Sequence, residues 1–273
     1  MAFFPNYRTA GGTGRRLTGM ARFTELLDRD FKRFFLTNLV TVAGFLPFFV
    51  GTAIALLSSS LLILIPSCII GGILAGPSLS LMYDTVYRSL RDAPGRTGEI
   101  IKKAWKQNMK QSILPGILLC LLLGFYLFMF MMFWWAASSP SLGTICVAIA
   151  GLVILSMFFT VFWPQIVLFE QSGKQCFRNT ILFIIRYFWK TLGCAVLHVL
   201  YWGAFALFLP WSVVLLPLTG FWLIQFISNF LLYRSMDEAF RIEEAIEQTY
   251  PEQAAYYEDD QAWLKRKQEE NNS

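Results

Sequence analysis

The sequence predicts an all-α membrane protein with six transmembrane helices arranged as three hairpins, each preceded by an amphipathic helix at the cytoplasmic interface. Three observations carry that expectation. The 23 Lys and Arg and the 18 Asp and Glu side chains all fall in four stretches, and the blocks between them, Phe34–Tyr83, Gln111–Phe169 and Thr191–Tyr233, hold none. The blocks are 50, 59 and 43 residues long. A spanning helix needs roughly 20 apolar residues, so each block fits two crossings. Finally, seven basic residues precede the first block, seven follow it, four follow the second and five follow the third. One crossing per block would divide them 11 against 12. Two crossings per block put all 23 on one side, as the positive-inside rule requires.

The elements follow in order. Helices are expected at Phe34–Leu57, Leu61–Tyr83, Ile113–Ala136, Thr144–Phe169, Thr191–Leu209 and Ser212–Tyr233. The outer turns are then Ser58–Ser60, Ala137–Gly143 and the region of Pro210, all short and uncharged. Trp134, Trp135 and Trp211 fall at outer ends and Trp105 and Trp189 at inner ends, where interfacial aromatic belts sit. Gly44, Pro47, Pro66, Pro115, Pro164 and Pro217 lie within or near helices, with kinks expected at Pro47 and Pro164.

Before each hairpin an apolar stripe recurs at helical spacing. The first stripe is Phe23, Leu26, Leu27, Phe31 and Phe34, with Arg22, Glu25, Arg29 and Lys32 elsewhere. The second is Ile101, Trp105, Met109 and Ile113, and the third is Phe177, Ile181, Ile184 and Phe188. Each reads as an amphipathic helix in the cytoplasmic interface. Lys32, Lys110 and Lys190 mark equivalent positions of a threefold unit. After Tyr233 the pattern Ala239, Ile242, Ala245 and Ile246 continues the last helix, and Pro251 ends it. The chain divides into a cytoplasmic tail with an amphipathic helix (1–33), the six-helix domain (34–235), and a cytoplasmic helix with an acidic tail (236–273).

Composition bounds the function. With 56% hydrophobic and 15% charged residues, the membrane is the solvent for most of the chain. The net charge of +5 is the topogenic and anionic-lipid contribution of juxtamembrane cations, and no nucleic-acid partner is expected. No apolar run precedes Phe34, so a cleavable signal peptide is not expected. Five cysteines without a C-x-x-C pair give neither a disulfide framework nor a metal site. Gly11–Gly14 lacks the strand and the Lys-Ser or Lys-Thr of a phosphate loop.

Candidate site residues are few. Intramembrane ionisable groups mark ion pathways and coupled transport, and the blocks contain no Asp, Glu, Lys or Arg. His198 is the exception, with Cys194 and Tyr201 one turn either side, and it reads as an interhelical hydrogen-bonding group. Gly72 and Gly76 form a G-x-x-x-G match for close helix packing, within the chain or in a homo-oligomer. Lys102, Lys103, Lys106 and Lys110, with Lys174 and Arg178, form basic faces suited to a cytoplasmic partner. No nucleophile–base pair, cofactor motif or metal-ligand spacing is present, and an enzyme is not expected.

Several stretches together resemble the YesL-like family of bacterial integral membrane proteins, a domain of unknown function. They are Phe31–Leu39, Ala75–Tyr83 and Trp105–Gln111, with Phe3-Phe4-Pro5-Asn6-Tyr7 at the start. The resemblance covers residues 1–115 and is only hydropathic beyond. It implies a polytopic protein of the bacterial cytoplasmic membrane that is an accessory or regulatory partner of a carbohydrate uptake system of the ABC type. Two other readings remain open. One is a permease subunit of an ABC importer, although Glu170-Gln171-Ser172-Gly173 lacks the Ala pair and spacing of the E-A-A-x-x-x-G loop. The other is an uncharged-pore channel or small-solute facilitator.

Overall fold

The structure, a computed structural model, describes residues 17–92, 97–136, 141–169, 171–242 and 244. The described residues form eight helices and no strand. They are α1 (Gly19–Leu57), α2 (Leu61–Leu90), α3 (Thr97–Ala136), α4 (Leu142–Leu168), α5 (Gly173–Arg186), α6 (Phe188–Leu207), α7 (Ser212–Leu215) and α8 (Gly220–Phe240). Five of them are long and apolar enough to cross a membrane: α1, α2, Met109–Phe133 of α3, α4 and α6. The chain is a multi-pass, membrane-embedded helical protein. The expected glycine stretch 11–14 and the acidic tail beyond 244 lie outside the described residues.

The first two predicted amphipathic stretches are not separate elements. Each is continuous with the span that follows, giving helices of 39 and 40 residues. In the third unit a break at Tyr187 separates α5 from α6. Ser172 opens α5 with a capping box, its side chain accepting from the Gln175 N–H while the Gln175 side chain accepts from the Ser172 N–H. Pro47, Pro66, Pro77, Pro115 and Pro164 all sit inside unbroken helices. A turn at Ser58–Ser60 is as expected, with Ser59 in the left-handed region at φ 51°.

Helices α1, α2 and α3 form an antiparallel layer held by small residues. Gly44 lies against Ser78, Gly51 against Ser67, and Gly71 against the backbone of Phe48. Gly72 and Gly76 face α3, where a Cβ on Gly76 would stand 2.2 Å from the Ser112 carbonyl oxygen. A Cβ on Gly116 would stand 2.5 Å from the Gly72 carbonyl oxygen. Backbone meets backbone here, so the gain is close dispersion contact that any larger side chain would forfeit. Polar bonds add to it: Thr41 donates to the Ser78 carbonyl at 3.1 Å, and the Trp163 indole on α4 donates to Ser80 at 2.9 Å.

The last hairpin departs from expectation. The predicted single helix Ser212–Tyr233 is instead one turn of α7, a break at 216–219, and α8 running to Phe240. Pro217 falls in the break, where its missing N–H and fixed φ end a helix. Helix α8 carries Gln225, Ser228, Asn229, Arg234, Asp237 and Glu238, and it is not among the helices apolar enough to cross. Its start is level with Asn38 of α1, which bonds Leu216, Pro217, Phe221 and Trp222. About 28 Å of helix then separates Asn38 from Leu57 at the outer turn.

The glycine contacts give a direct test. Gly76→Ala or Gly116→Ala is expected to lower the stability of the purified protein in detergent by about 1–3 kcal/mol, read from thermal unfolding. Gly203→Ala on α6, where nothing lies within 4 Å, is expected to be neutral or slightly stabilising.

Candidate functional site

Charged side chains gather at the end of the bundle formed by the start of α1 and the end of α2. The sequence pattern placed Arg22 and Arg29 off the apolar stripe of an interfacial helix, and the structure turns both toward the end of α2. Arg22 is 5% exposed, Asp30 5% and Asp92 6%, and all three face α2 or α1 rather than water. Arg22 reaches Asp92 at 2.5 Å and Glu25 at 2.8 Å. Arg29 pairs with Asp92, bonds Asp30 at 2.7 Å, and donates to the Ser89 carbonyl at 2.9 Å. The Ser89 hydroxyl donates to Asp30 at 2.6 Å, and Arg88 bonds Asp84 at 2.6 Å within α2. Burial alone would push the Asp92 carboxyl up, but the Arg22 and Arg29 guanidiniums outweigh it and hold the group below its ordinary range. The network clamps the amphipathic part of α1 onto α2, with Phe23 stacked on Phe226 at 5.0 Å behind it.

The basic residues singled out in the sequence lie on two other helices. Lys102, Lys106 and Lys110 on α3 are exposed, as are Lys174 and Arg178 on α5. None of these five has an ion-pair partner among the described residues. The side chain of Lys103 lies outside the described residues. By contrast Arg186 pairs with Glu238 at 3.2 Å and Lys190 donates to Ser235 at 2.7 Å, joining α5 and α6 to the end of α8.

A second polar group occupies the interior where α2, α6 and α8 meet. His198 is 6% exposed, with Nδ1 at 2.9 Å from the Cys194 carbonyl and 3.3 Å from the Ser228 hydroxyl. Gln225 faces both His198 and Tyr83 but makes no hydrogen bond of normal geometry through Oε1, and Asn229 Oδ1 is likewise buried without one. Tyr201, one turn after His198, donates to the carbonyls of Thr219 and Gly220 at 3.1 and 2.9 Å. Among the described residues no group of His, Cys, Asp and Glu is placed to hold a metal ion.

Asn38 is the residue that sequence reading missed. It is fully buried and its amide donates to Leu216 and Pro217 carbonyls, each at 2.8 Å. Its oxygen accepts from the N–H groups of Phe221 at 2.8 Å and Trp222 at 3.3 Å. Those two N–H groups belong to the first turn of α8, which has no partner of its own. A lone Asn in an apolar block is the signal that could have found it.

Comparison with known proteins gives no match: no family model, no curated protein and no solved structure aligns with the chain.

Two outcomes test the clamps. Asp92→Asn leaves the buried Arg22 and the half-buried Arg29 guanidiniums short of a counter-charge and is expected to cost about 3–5 kcal/mol. Because the folded Asp92 carboxyl titrates below its unfolded value, its contribution is complete above an ordinary carboxylate pKa of about 4. It is lost as the pH falls through the lower folded value. Wild type is therefore expected to lose more stability than Asp92→Asn between about pH 5 and about pH 2. Asn38→Leu keeps the γ-branched shape and removes all four bonds, so hydrogen exchange at Phe221 and Trp222 is expected to accelerate at least tenfold.

Proposed function

We propose that the chain is a multi-pass protein of the bacterial cytoplasmic membrane, with both termini cytoplasmic, that acts as an accessory or regulatory partner of an ABC-type carbohydrate uptake system and not as an enzyme. The observation that carries this reading is the division of charge. The spanning stretches hold no ionised group of the kind that coupled transport uses. The charged end, in contrast, is built: a buried ionic network fixes α1 on α2, while Lys102, Lys106 and Lys110 of α3 stand exposed nearby in sequence, with no ion-pair partner among the described residues. Preformed charged surfaces steer and orient partners. The resemblance of residues 1–115 to YesL-like proteins supports the association with sugar import.

The topology in this reading is four full crossings, α1 to α4, followed by a re-entrant hairpin of α6, α7 and α8. Two features support it over six crossings. The start of α8 lies beside Asn38, far short of the outer turn at Ser58–Ser60. The hairpin tip is also apolar and exposed, with Leu207 84%, Phe208 68%, Trp211 80% and Val214 76% exposed. Such a tip fits hydrocarbon better than water. A re-entrant hairpin keeps the parity of six crossings, so all 23 basic residues remain on one side.

A facilitator for a small uncharged solute is the second reading, favoured by the buried polar group of Tyr83, His198, Gln225, Ser228 and Asn229. One pair of experiments separates the two. Reversal of Lys102, Lys103 and Lys106 to Glu is expected to cut recovery of cross-linked importer subunits from native membranes at least fivefold, with insertion unchanged. Undiminished recovery removes the docking surface. Solute flux through proteoliposomes holding this protein alone, abolished by Gln225→Leu, favours the facilitator.

A further inference from the structure

Helix α5 joins the end of α4 at Leu168 to the start of α6 at Phe188, so it lies at the membrane face where two apolar helices emerge. One side of it is committed to the protein. Cys176, Thr180 and Phe183 are buried, the Thr180 hydroxyl accepts from the Gln165 amide at 2.8 Å, and Phe183 stacks on Phe240 at 5.7 Å.

The other side changes chemistry along the helix axis. Its first two turns present Lys174 and Arg178, and its last two present Ile181, Leu182 and Ile185, which are 39%, 57% and 70% exposed. About 16 Å of axis separates Lys174 from Ile185. Between them lies a groove of about 540 Å³, with Ser172, Lys174, Gln175 and Arg178 on its polar side and Phe177, Ile181 and Leu182 on its apolar side. No acidic residue occurs from Gln171 to Lys190. Arg186 and Lys190 are engaged by α8, whereas Lys174 and Arg178 have no ion-pair partner among the described residues.

We infer that this groove binds the phosphate-bearing headgroup of an anionic phospholipid, with an acyl chain laid along Phe177, Ile181 and Leu182. Two unneutralised cations beside a hydroxyl and an amide match a phosphate monoanion in charge and in donors. The aliphatic continuation of the same face matches a chain attached to that phosphate. Among the described residues lining the groove a zwitterionic lipid finds no carboxylate for its ammonium group, so selectivity for net negative charge follows. An acidic soluble protein would leave Ile185 and Leu182 uncovered. The inference stands apart from the importer partner, because it concerns only the bilayer around the protein.

The test uses the full-length purified protein, delipidated in detergent, and native mass spectrometry with phosphatidylglycerol or phosphatidylcholine of identical chains. Each Lys or Arg near an anionic lipid contributes roughly a factor of five in affinity. Phosphatidylglycerol is therefore expected to bind at least tenfold more tightly than phosphatidylcholine. Lys174→Gln with Arg178→Gln is expected to erase that preference, while Lys174→Arg with Arg178→Lys keeps it. Lys102→Gln with Lys106→Gln on α3 is expected to leave it intact. Equal binding of the two lipids overturns the site, as does an undiminished preference in the Gln variant. An equal loss from the α3 variant overturns its placement on α5.

Discussion

Asn38 uses every hydrogen-bonding position of its side chain on the segment where the last hairpin turns, donating twice to carbonyls and accepting twice from N–H groups. In hydrocarbon each of those backbone groups left alone would cost several kcal/mol, and broken helix at membrane depth persists only where protein satisfies it. Tyr201 supplies two further bonds to the Thr219 and Gly220 carbonyls. With the turn secured at that level, α8 can run back along α1, bringing Trp222 and Phe226 against Phe34 and Met236 to the Tyr87 hydroxyl. The position of α8 then determines where Lys190 and Arg186 find partners, and so fixes α5 and α6 as well.

Much of this could be read from the chain, for a plain reason. Exclusion of charge over 40 or more residues has one common cause, the bilayer, and it marked where four apolar helices lie, although α1 begins 15 and α3 16 residues before, and α2 ends seven after, the helix expected. The serine turn at Ser58–Ser60 was equally legible, since small polar residues break apolar runs. What periodicity cannot tell is whether a charged side chain faces water or a partner elsewhere in the chain. Arg22 and Arg29 read only as residues off the apolar stripe of α1, because the carboxylate they share, Asp92, lies 70 and 63 residues away in sequence. Pro217 was visible but read like the other helix prolines. It differs because Pro47, Pro66, Pro115 and Pro164 sit in helices whose neighbours run on beside them, whereas Pro217 sits where Asn38 and Tyr201 offer replacement partners.

The two kinds of packing divide the work. Glycine contacts among α1, α2 and α3 hold the uncharged part of the bundle by close approach. Ion pairs hold the charged end, where water is near enough to moderate the cost of burying them. Among the described residues, Lys102, Lys106 and Lys110 on α3 and Lys174 and Arg178 on α5 are exposed without an ion-pair partner, and these are the cations proposed to meet a protein and a lipid phosphate respectively.

The re-entrant hairpin is the claim on which the topology turns, and the depth of its tip tests it most directly. A nitroxide placed at Val214 in a cysteine-free background, in nanodiscs, reports depth through its relative collision rates with oxygen and a water-soluble nickel chelate. The account predicts a strongly oxygen-accessible, nickel-shielded label at Val214, and a nickel-accessible one at Ser59 in the outer turn. A label at Val214 as open to the nickel chelate as the one at Ser59 would place the tip in water and contradict it.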